Sequence, residues 1–398
     1  MPMLRFASLV LAATLSTAPV HAAPSTAPAV QPTPVPLAPA AAMPLPSPPS
    51  IAAKSHLLMD YHSGRVLAES NIDMRVEPAS ITKLMTAYII YGAMKRGDLS
   101  PETMVNISEK AWRMQGSKMF VRVGTQVKVD DLLKGMIIQS GNDATIALAE
   151  HIAGSEEAFA NMMNHEAQRL GMTGTHFVNS TGWPDPNHYS TARDIATLMK
   201  AVIRDFPEHY VRERQKEFTW NNIKQINRNR LLWRDPSVDG GKTGHTESAG
   251  FCLAASAQRD GMRLISVVLG APSDEARAEQ SQALLNYGFN FFETRLLQRG
   301  GEALAEPRVW KGASKTVRLG LADDFYVTAP RGQFDKLNLT VDMPPRIDAP
   351  LAQGQPVGVL RAKLGNDLVA EVPAVALSEV PQGGIFRRMV DGVILMFN

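Results

Sequence analysis

The sequence predicts an α+β fold, with a domain whose sheet is completed by its own C-terminal segment, then a small all-β region and a terminal amphipathic helix. Three observations carry this reading. Short strand-like runs open the folded region, helix-spaced apolar residues fill its middle, and beyond Lys242 strand patterns return around an Asp-Gly turn.

Taken in order, residues 1–23 hold one positive side chain, Arg5, an apolar run at 6–15, and the small-residue sequence Val20-His21-Ala22-Ala23. This is the pattern of a secretory signal peptide cut after Ala22 or Ala23. The run is about ten residues long where a membrane span needs about 20. Residues 24–50 contain ten of the chain's 27 prolines among Ala, Ser, Thr and Val. Such a composition cannot offset the entropy of ordering and predicts an extended tether.

A catalytic-sized domain is expected over 51–298. It opens with a hairpin at 55–67 that turns at Tyr61-His62-Ser63-Gly64. Leu84, Tyr88 and Tyr91, with Met85 and Ile89, recur at helical spacing and predict a helix over 79–95. Further helices are expected at 129–138, 144–153, 155–170 and 192–203. Segments 251–257 and 262–269 flank Arg259-Asp260-Gly261, a hairpin signal, and a helix over 276–297 closes the domain. In 299–383, short apolar runs at 315–319, 324–328, 337–341, 356–362 and 367–372 are cut by Gly, Pro and Asp, the rhythm of a β-sandwich. The last segment, 384–398, follows Pro381-Gln382-Gly383-Gly384. Ile385, Phe386, Met389, Val390, Val393, Ile394, Met396 and Phe397 fall on one half of a helical wheel, opposite Arg387, Arg388, Asp391 and Leu395. As a helix it is about 22 Å long, too short and too charged to cross a bilayer, but fit to lie in its surface as an anchor.

Composition narrows the function. Lys plus Arg is 41 against 39 Asp plus Glu, a net charge of +2, so no basic field for nucleic acid is expected. Cys252 is the lone cysteine, which excludes an internal disulfide and Cys-rich metal frameworks. There is no H-E-x-x-H, since His165-Glu166 lacks a partner His, and no G-x-S-x-G elbow. Neither a metal nor a cofactor is expected.

Three short motifs carry chemistry together. Ser80-Ile81-Thr82-Lys83 begins the long helix, where residues three apart share a face, so Lys83 can reach the Ser80 hydroxyl. A serine is a weak nucleophile until a base takes its proton, and lysine serves only if burial or a nearby cation lowers its pKa. Alone the motif is weak, because a chain of this length holds about one S-x-x-K by chance. Ser140-Gly141-Asn142 falls in a break between two helices and reads either as a turn presenting a hydroxyl and an amide, or as a helix cap. Lys242-Thr243-Gly244-His245 follows Asp239-Gly240-Gly241 at the start of a strand. On an edge strand it places an ammonium and a hydroxyl beside the nucleophile, and Lys242 supplies the second cation that keeps Lys83 neutral. The order helix start, interhelical loop, strand gives the set its force.

On these motifs, and on the stretches 78–86 (PASITKLMT), 139–144 (QSGNDA), 227–233 (NRNRLLW) and 239–250 (DGGKTGHTESAG), the chain resembles the low-molecular-weight penicillin-binding proteins, the D-alanyl-D-alanine carboxypeptidases of serine peptidase family S11. The resemblance covers 52 to about 383 plus the tail, and the Pro/Ala-rich tether departs from it. It implies a penicillin-binding, β-lactamase-like transpeptidase domain with an antiparallel sheet and a helical subdomain. It implies acylation of Ser80, with Lys83 as general base, Ser140 as proton relay and Asn142 holding the substrate amide. Lys242 would assist electrostatically, Thr243 and Arg228 would receive the terminal carboxylate, and the N–H groups of Ser80 and His245 would form the oxyanion hole beside Gly244. The implied substrate is a peptidoglycan peptide ending in D-Ala-D-Ala, the implied inhibitors are β-lactams, and the implied place is the periplasmic face of the inner membrane. A β-lactamase is the nearest rival, but its E-x-x-L-N segment is absent. An endopeptidase cutting crosslinks would use the same residues, and a non-catalytic wall-binding protein would lack the intact motif set.

Overall fold

The computed structural model describes residues 45–396, so the expected signal peptide and most of the expected tether lie outside the described residues. Strands β1 (Ser55–Asp60) and β2 (Val66–Ser70) form the opening hairpin. A tight turn over Ala79–Thr82 then feeds α1 (Lys83–Arg96). Helix α1 is apolar on every side and is buried for most of its length, as such a helix must be. After it come β3 (Met104–Asn106), α2 (Glu109–Arg113), β4 (Gln126–Lys128), α3 (Val129–Ile138), α4 (Asn142–Ala153) and α5 (Glu156–Arg169), of which α3, α4 and α5 pack on α1. Helix α6 (Ala192–Asp205) starts where the Thr191 side chain accepts the Asp194 N–H. The chain returns through α7 (Pro207–Tyr210), a turn at Val211–Arg214, the ribbon β5 (Glu217–Trp220) and β6 (Ile223–Ile226), and α8 (Leu231–Arg234).

Three long strands follow, β7 (Val238–Thr246), β8 (Gly250–Arg259) and β9 (Met262–Ala271), and then helix α9 (Asp274–Phe291). The sheet is antiparallel in the order β2-β1-β9-β8-β7, so the last strands complete the sheet begun by the first. Both its faces are buried. Leu57, Ile265 and Val267 pack toward α1 and the helical layer, while Leu58, Leu264 and Val268 alternate to the other side and meet Leu284 and Leu285 of α9. Strand β7 is left at the edge.

The later region contains β10 (Phe292–Gln298), β11 (Ala303–Ala305), β12 (Leu319–Gly320), β13 (Phe325–Pro330), β14 (Leu337–Asp342), β15 (Pro356–Leu364) and β16 (Asp367–Ala376). β10 pairs with β13, and the others form a sheet ordered β11-β12-β16-β15-β14. Two expectations are corrected here. Helix α9 stops at Phe291 rather than 297, because residues 292–298 pair with β13, and that pairing decides a run whose apolar spacing fits either period. Segment 315–319 contributes only Leu319 to a strand.

The two regions are tied through the buried Asp60 carboxylate. It accepts from the Ser63 N–H (2.7 Å), the Ser63 hydroxyl (2.8 Å) and the Thr294 hydroxyl (2.8 Å), and Thr328 Oγ1 lies 2.6 Å from Ser63 Oγ and 2.7 Å from Thr294 Oγ1. The tail forms α10 (Ile385–Ile394), which turns its polar side inward. Asp391 accepts from the Lys311 N–H (2.7 Å) and from Arg308 (3.2 Å), while Phe386 is 82% exposed and Met389, Val390 and Val393 also face outward.

Candidate active site

Ser80 sits in the turn before α1, directly after Ala79, whose φ is +48°. A non-glycine residue holds that conformation only where its surroundings fix it. Lys83 opens α1, and its Nζ lies 2.9 Å from Ser80 Oγ, 2.8 Å from Asn142 Oδ1 and 2.7 Å from the Thr181 carbonyl oxygen. These partners differ in what they can exchange with the amine. A neutral amine has two N–H donors and one lone pair, and the two oxygens of Asn142 and Thr181 can only accept. The lone pair is therefore left for the one partner with a proton to give, the Ser80 hydroxyl.

Electrostatics favour the neutral amine. Lys83 is 1% exposed, and burial, followed by the charges of Lys242 and Arg228, holds it well below the usual lysine range. Lys242 is buried as well, with Nζ 2.9 Å from Ser140 Oγ and 3.0 Å from its neighbour's Thr243 carbonyl. Burial brings Lys242 down to about 7, with Glu213 raising it and Arg228 and Arg277 lowering it.

Ser140 (φ +63°) bridges α3 and α4, so the turn reading of that motif holds and neither Ser140 nor Asn142 caps α4 through its side chain. Asn142 donates from Nδ2 to the Gln115 carbonyl (2.8 Å), which orients its Oδ1 at Lys83. The next residue, Asp143, is buried and gathers the N–H groups of Met119 (2.9 Å), Phe120 (2.8 Å), Val121 (3.2 Å) and Ala144 (2.9 Å). That hub pins Phe120 at φ +71° on the rim of the cleft.

Across from it, β7 brings Thr243, Gly244 and His245 to a cleft of about 1350 Å³. Of the nine expected site residues, Ser80, Ser140, Asn142, Arg228, Thr243, Gly244 and His245 line this cleft, and Lys83 and Lys242 lie buried beneath it. Arg228 has no hydrogen-bond or ion-pair partner among the described residues, which leaves a cation facing the space. The His245 ring lies against Phe251, with centroids 4.0 Å apart.

Several contributors escaped sequence reasoning. Thr181 acts through its carbonyl, which no side-chain pattern encodes, and Gly182 (φ +80°) lets that loop press on Ala79. His188 joins Thr82 Oγ1 at 2.8 Å, while its Nδ1 accepts the Val178 N–H at 3.1 Å. Burial lowers the imidazole to about 4, so it stays neutral. Arg277 donates to the Gly244 and Cys252 carbonyls at 3.0 and 3.4 Å and so steadies β7 from α9. Glu213 is buried and raised by that burial to about 7. Asp143 alone had a signal, its place directly after Ser140-Gly141-Asn142.

Chemically the assembly is a hydroxyl aimed at a neutral lysine, a second hydroxyl held by a second lysine, and a free guanidinium facing the cleft. That suits acyl transfer from a substrate with a terminal carboxylate. Among the described residues no group of three His, Cys, Asp or Glu is placed to hold a metal ion.

Comparison with known proteins gives the same direction. Residues 43–273 match the family model described as D-alanyl-D-alanine carboxypeptidase, and residues 292–382 match that for the penicillin-binding protein 5 C-terminal domain. D-alanyl-D-alanine carboxypeptidase DacC of Escherichia coli (strain K12) is 45% identical over 358 residues, covering 88% of this chain and 90% of the relative. DacA of the same organism is 42% identical over 362 residues, covering 89% and 90%. The crystal structure of penicillin binding protein 5 from Haemophilus influenzae superposes with a TM-score of 0.82 at 43% identity, covering 84% of this chain and 99% of that one.

Proposed function

Since the chain belongs to the D-alanyl-D-alanine carboxypeptidase family, we propose that Ser80 is its acylated nucleophile and Lys83 the general base. The enzyme is a serine D-Ala-D-Ala carboxypeptidase and penicillin-binding protein of peptidoglycan metabolism. The observation that supports the assignment of roles is Lys83 Nζ lying 2.9 Å from Ser80 Oγ while two oxygens that can only accept, those of Asn142 and Thr181, take its N–H groups.

In the first step Ser80 Oγ attacks the carbonyl of the penultimate D-alanine and its proton passes to Lys83 Nζ. The N–H groups of Ser80 and His245 receive the oxyanion. Ser140, held by Lys242, relays the proton from the Lys83 ammonium to the departing nitrogen, the peptide bond breaks, terminal D-alanine leaves, and Lys83 is neutral again. Arg228 and Thr243 hold its carboxylate, and Asn142 holds the substrate amide while it orients Lys83. Water then attacks the ester on Ser80 as its proton passes to Lys83, the bond to Ser80 Oγ breaks, the proton returns to that oxygen, and the shortened peptide leaves. A β-lactam forms the same ester and departs slowly.

The crosslink-cutting endopeptidase is the second reading, and the free Arg228 favours the first, because a terminal carboxylate is what it would meet. With purified enzyme, D-alanine release from a pentapeptide is expected to exceed cleavage of a crosslinked peptide dimer at least tenfold in kcat/KM. The reverse ratio, read by chromatography of both products, would overturn the carboxypeptidase assignment.

Residues 51–298 would form the catalytic domain, 299–383 a supporting β-sandwich, and α10 a foot on the membrane surface at the periplasmic face. The outward apolar side of α10 supports that placement, and no described helix is long and apolar enough to cross a membrane. Removal of residues 386–398 is expected to move the protein from the membrane pellet to the soluble fraction with activity intact. Unchanged pelleting would sink the anchor.

A further inference from the structure

Glu213 is a buried acidic residue packed beside the strand that carries Lys242. It belongs to the turn Val211–Arg214, is 1% exposed, and its Oε2 has no hydrogen-bond partner among the described residues. A carboxylate so placed is costly unless a cation lies close. Strand geometry supplies the cation. Gly240 and Lys242 are two residues apart on β7, in unbroken register with Ser256 and Ala254 of β8, so both project from one face. A Cβ at Gly240 would fall 2.7 Å from the Glu213 Cβ and 2.7 Å from the Tyr210 hydroxyl. Glu213 thus fills the slot that a side chain at 240 would occupy, one step along the strand from the Lys242 side chain.

We propose that Glu213 is a positioning residue that keeps Lys242 protonated and thereby sets the upper pH limit of the reaction. The inference rests on the reading of Lys242 as the cation that holds Lys83 neutral.

The surroundings leave Glu213 alone in this role. Lys242 faces it from β7, Tyr91 from α1 and Tyr210 from α7. His209 of α7 stacks on Tyr91 at 5.1 Å, and Asn227 donates only to the main-chain oxygen of Glu213 (3.4 Å). On its own turn, Arg212 is directed to Asp130 of α3 (3.0 Å). On β7, Asp239 is taken by Arg263 (2.6 Å) and by the Ser256 hydroxyl. Glu213 is therefore the acid whose charge supports Lys242, against Arg228 and Arg277. Without it Lys242 surrenders its proton at lower pH, and the ammonium that holds Ser140 and lowers Lys83 is lost from the alkaline side first.

The test measures D-alanine release from a pentapeptide ending in D-Ala-D-Ala, from about pH 5 to about pH 10, for the full chain, Glu213→Gln and Glu213→Asp, with thermal melting as the check on folding. In Glu213→Gln the alkaline limb of kcat/KM is expected to move down by about one pH unit or more, a loss of about tenfold above it. Glu213→Asp, which keeps the charge but withdraws it from Lys242, falls between. Limbs that coincide with the wild type, or a uniform loss at every pH, overturn the role of Glu213. If Glu213→Gln does not fold, the limb of Glu213→Asp decides by the same criterion. A wild-type chain that releases no D-alanine overturns the reaction itself, whereas an active wild type with superimposable variants overturns this inference alone.

Discussion

Ser80→Ala is expected to give a folded protein that releases no D-alanine and takes no label from benzylpenicillin. The change removes one oxygen from a half-buried side chain and one hydrogen bond, that to Lys83, so the stability cost is about 1 kcal/mol or less. The chemical cost is of another order. Without Oγ there is no ester, and the remaining groups can only polarise a carbonyl for water, a loss on the order of 10⁴-fold or more in kcat. Intact-protein mass after benzylpenicillin and chromatographic assay of D-alanine check both halves. Release at more than about one hundredth of the wild-type rate would place the nucleophile elsewhere.

Gly182→Ala is the second large expectation, and it touches no reacting atom. Gly182 has φ +80°, where a Cβ costs about 1 kcal/mol, and that Cβ would run into the main-chain carbonyl of Ala79 and stand 2.9 Å from Thr82 Oγ1. The obstacle is backbone, so the 181–183 loop must move away from the nucleophile turn, adding about 1–3 kcal/mol of strain. The Thr181 carbonyl then leaves Lys83, and the amine gains a free N–H where its lone pair had been fixed. A displacement of about 1 Å at this point is worth about 100-fold in kcat/KM. Kinetics with the pentapeptide, together with thermal melting, test it. An active enzyme of unchanged stability would show that the loop does not orient Lys83.

These two residues mark the boundary of what the sequence carries. Ser80, Lys83, Ser140, Asn142 and Lys242 were visible because their side chains recur in a fixed order, and the structure brings them within hydrogen-bond reach across separations of up to 102 residues. The helices were visible because periodic apolar residues and caps such as Thr191 agree. Gly182 and the Thr181 carbonyl were not, since a main-chain acceptor and an absent side chain leave no pattern in a single sequence. Glu213 was hidden for another reason. In Val211-Arg212-Glu213-Arg214-Gln215 it reads as one more solvated charge, and only the packing of that turn on β7 buries it. Strand β10 was misread because local spacing cannot register partner residues 27 to 38 positions further along the chain.

The edge position of β7 has a further consequence. An unpaired strand edge is a template on which any extended chain can add itself, and folded proteins usually blunt it. Here the blunting is selective. The nucleophile turn and the Val211–Arg214 turn pack against β7, and its residues from Gly240 to Gly244 are buried, so most of the edge is covered by the protein's own chain. What stays open is the short end of the strand at His245 and Thr246, which borders the cleft. The fold thus admits backbone pairing only to a guest as narrow as a peptide, and it turns a hazard of sheet architecture into a filter on size.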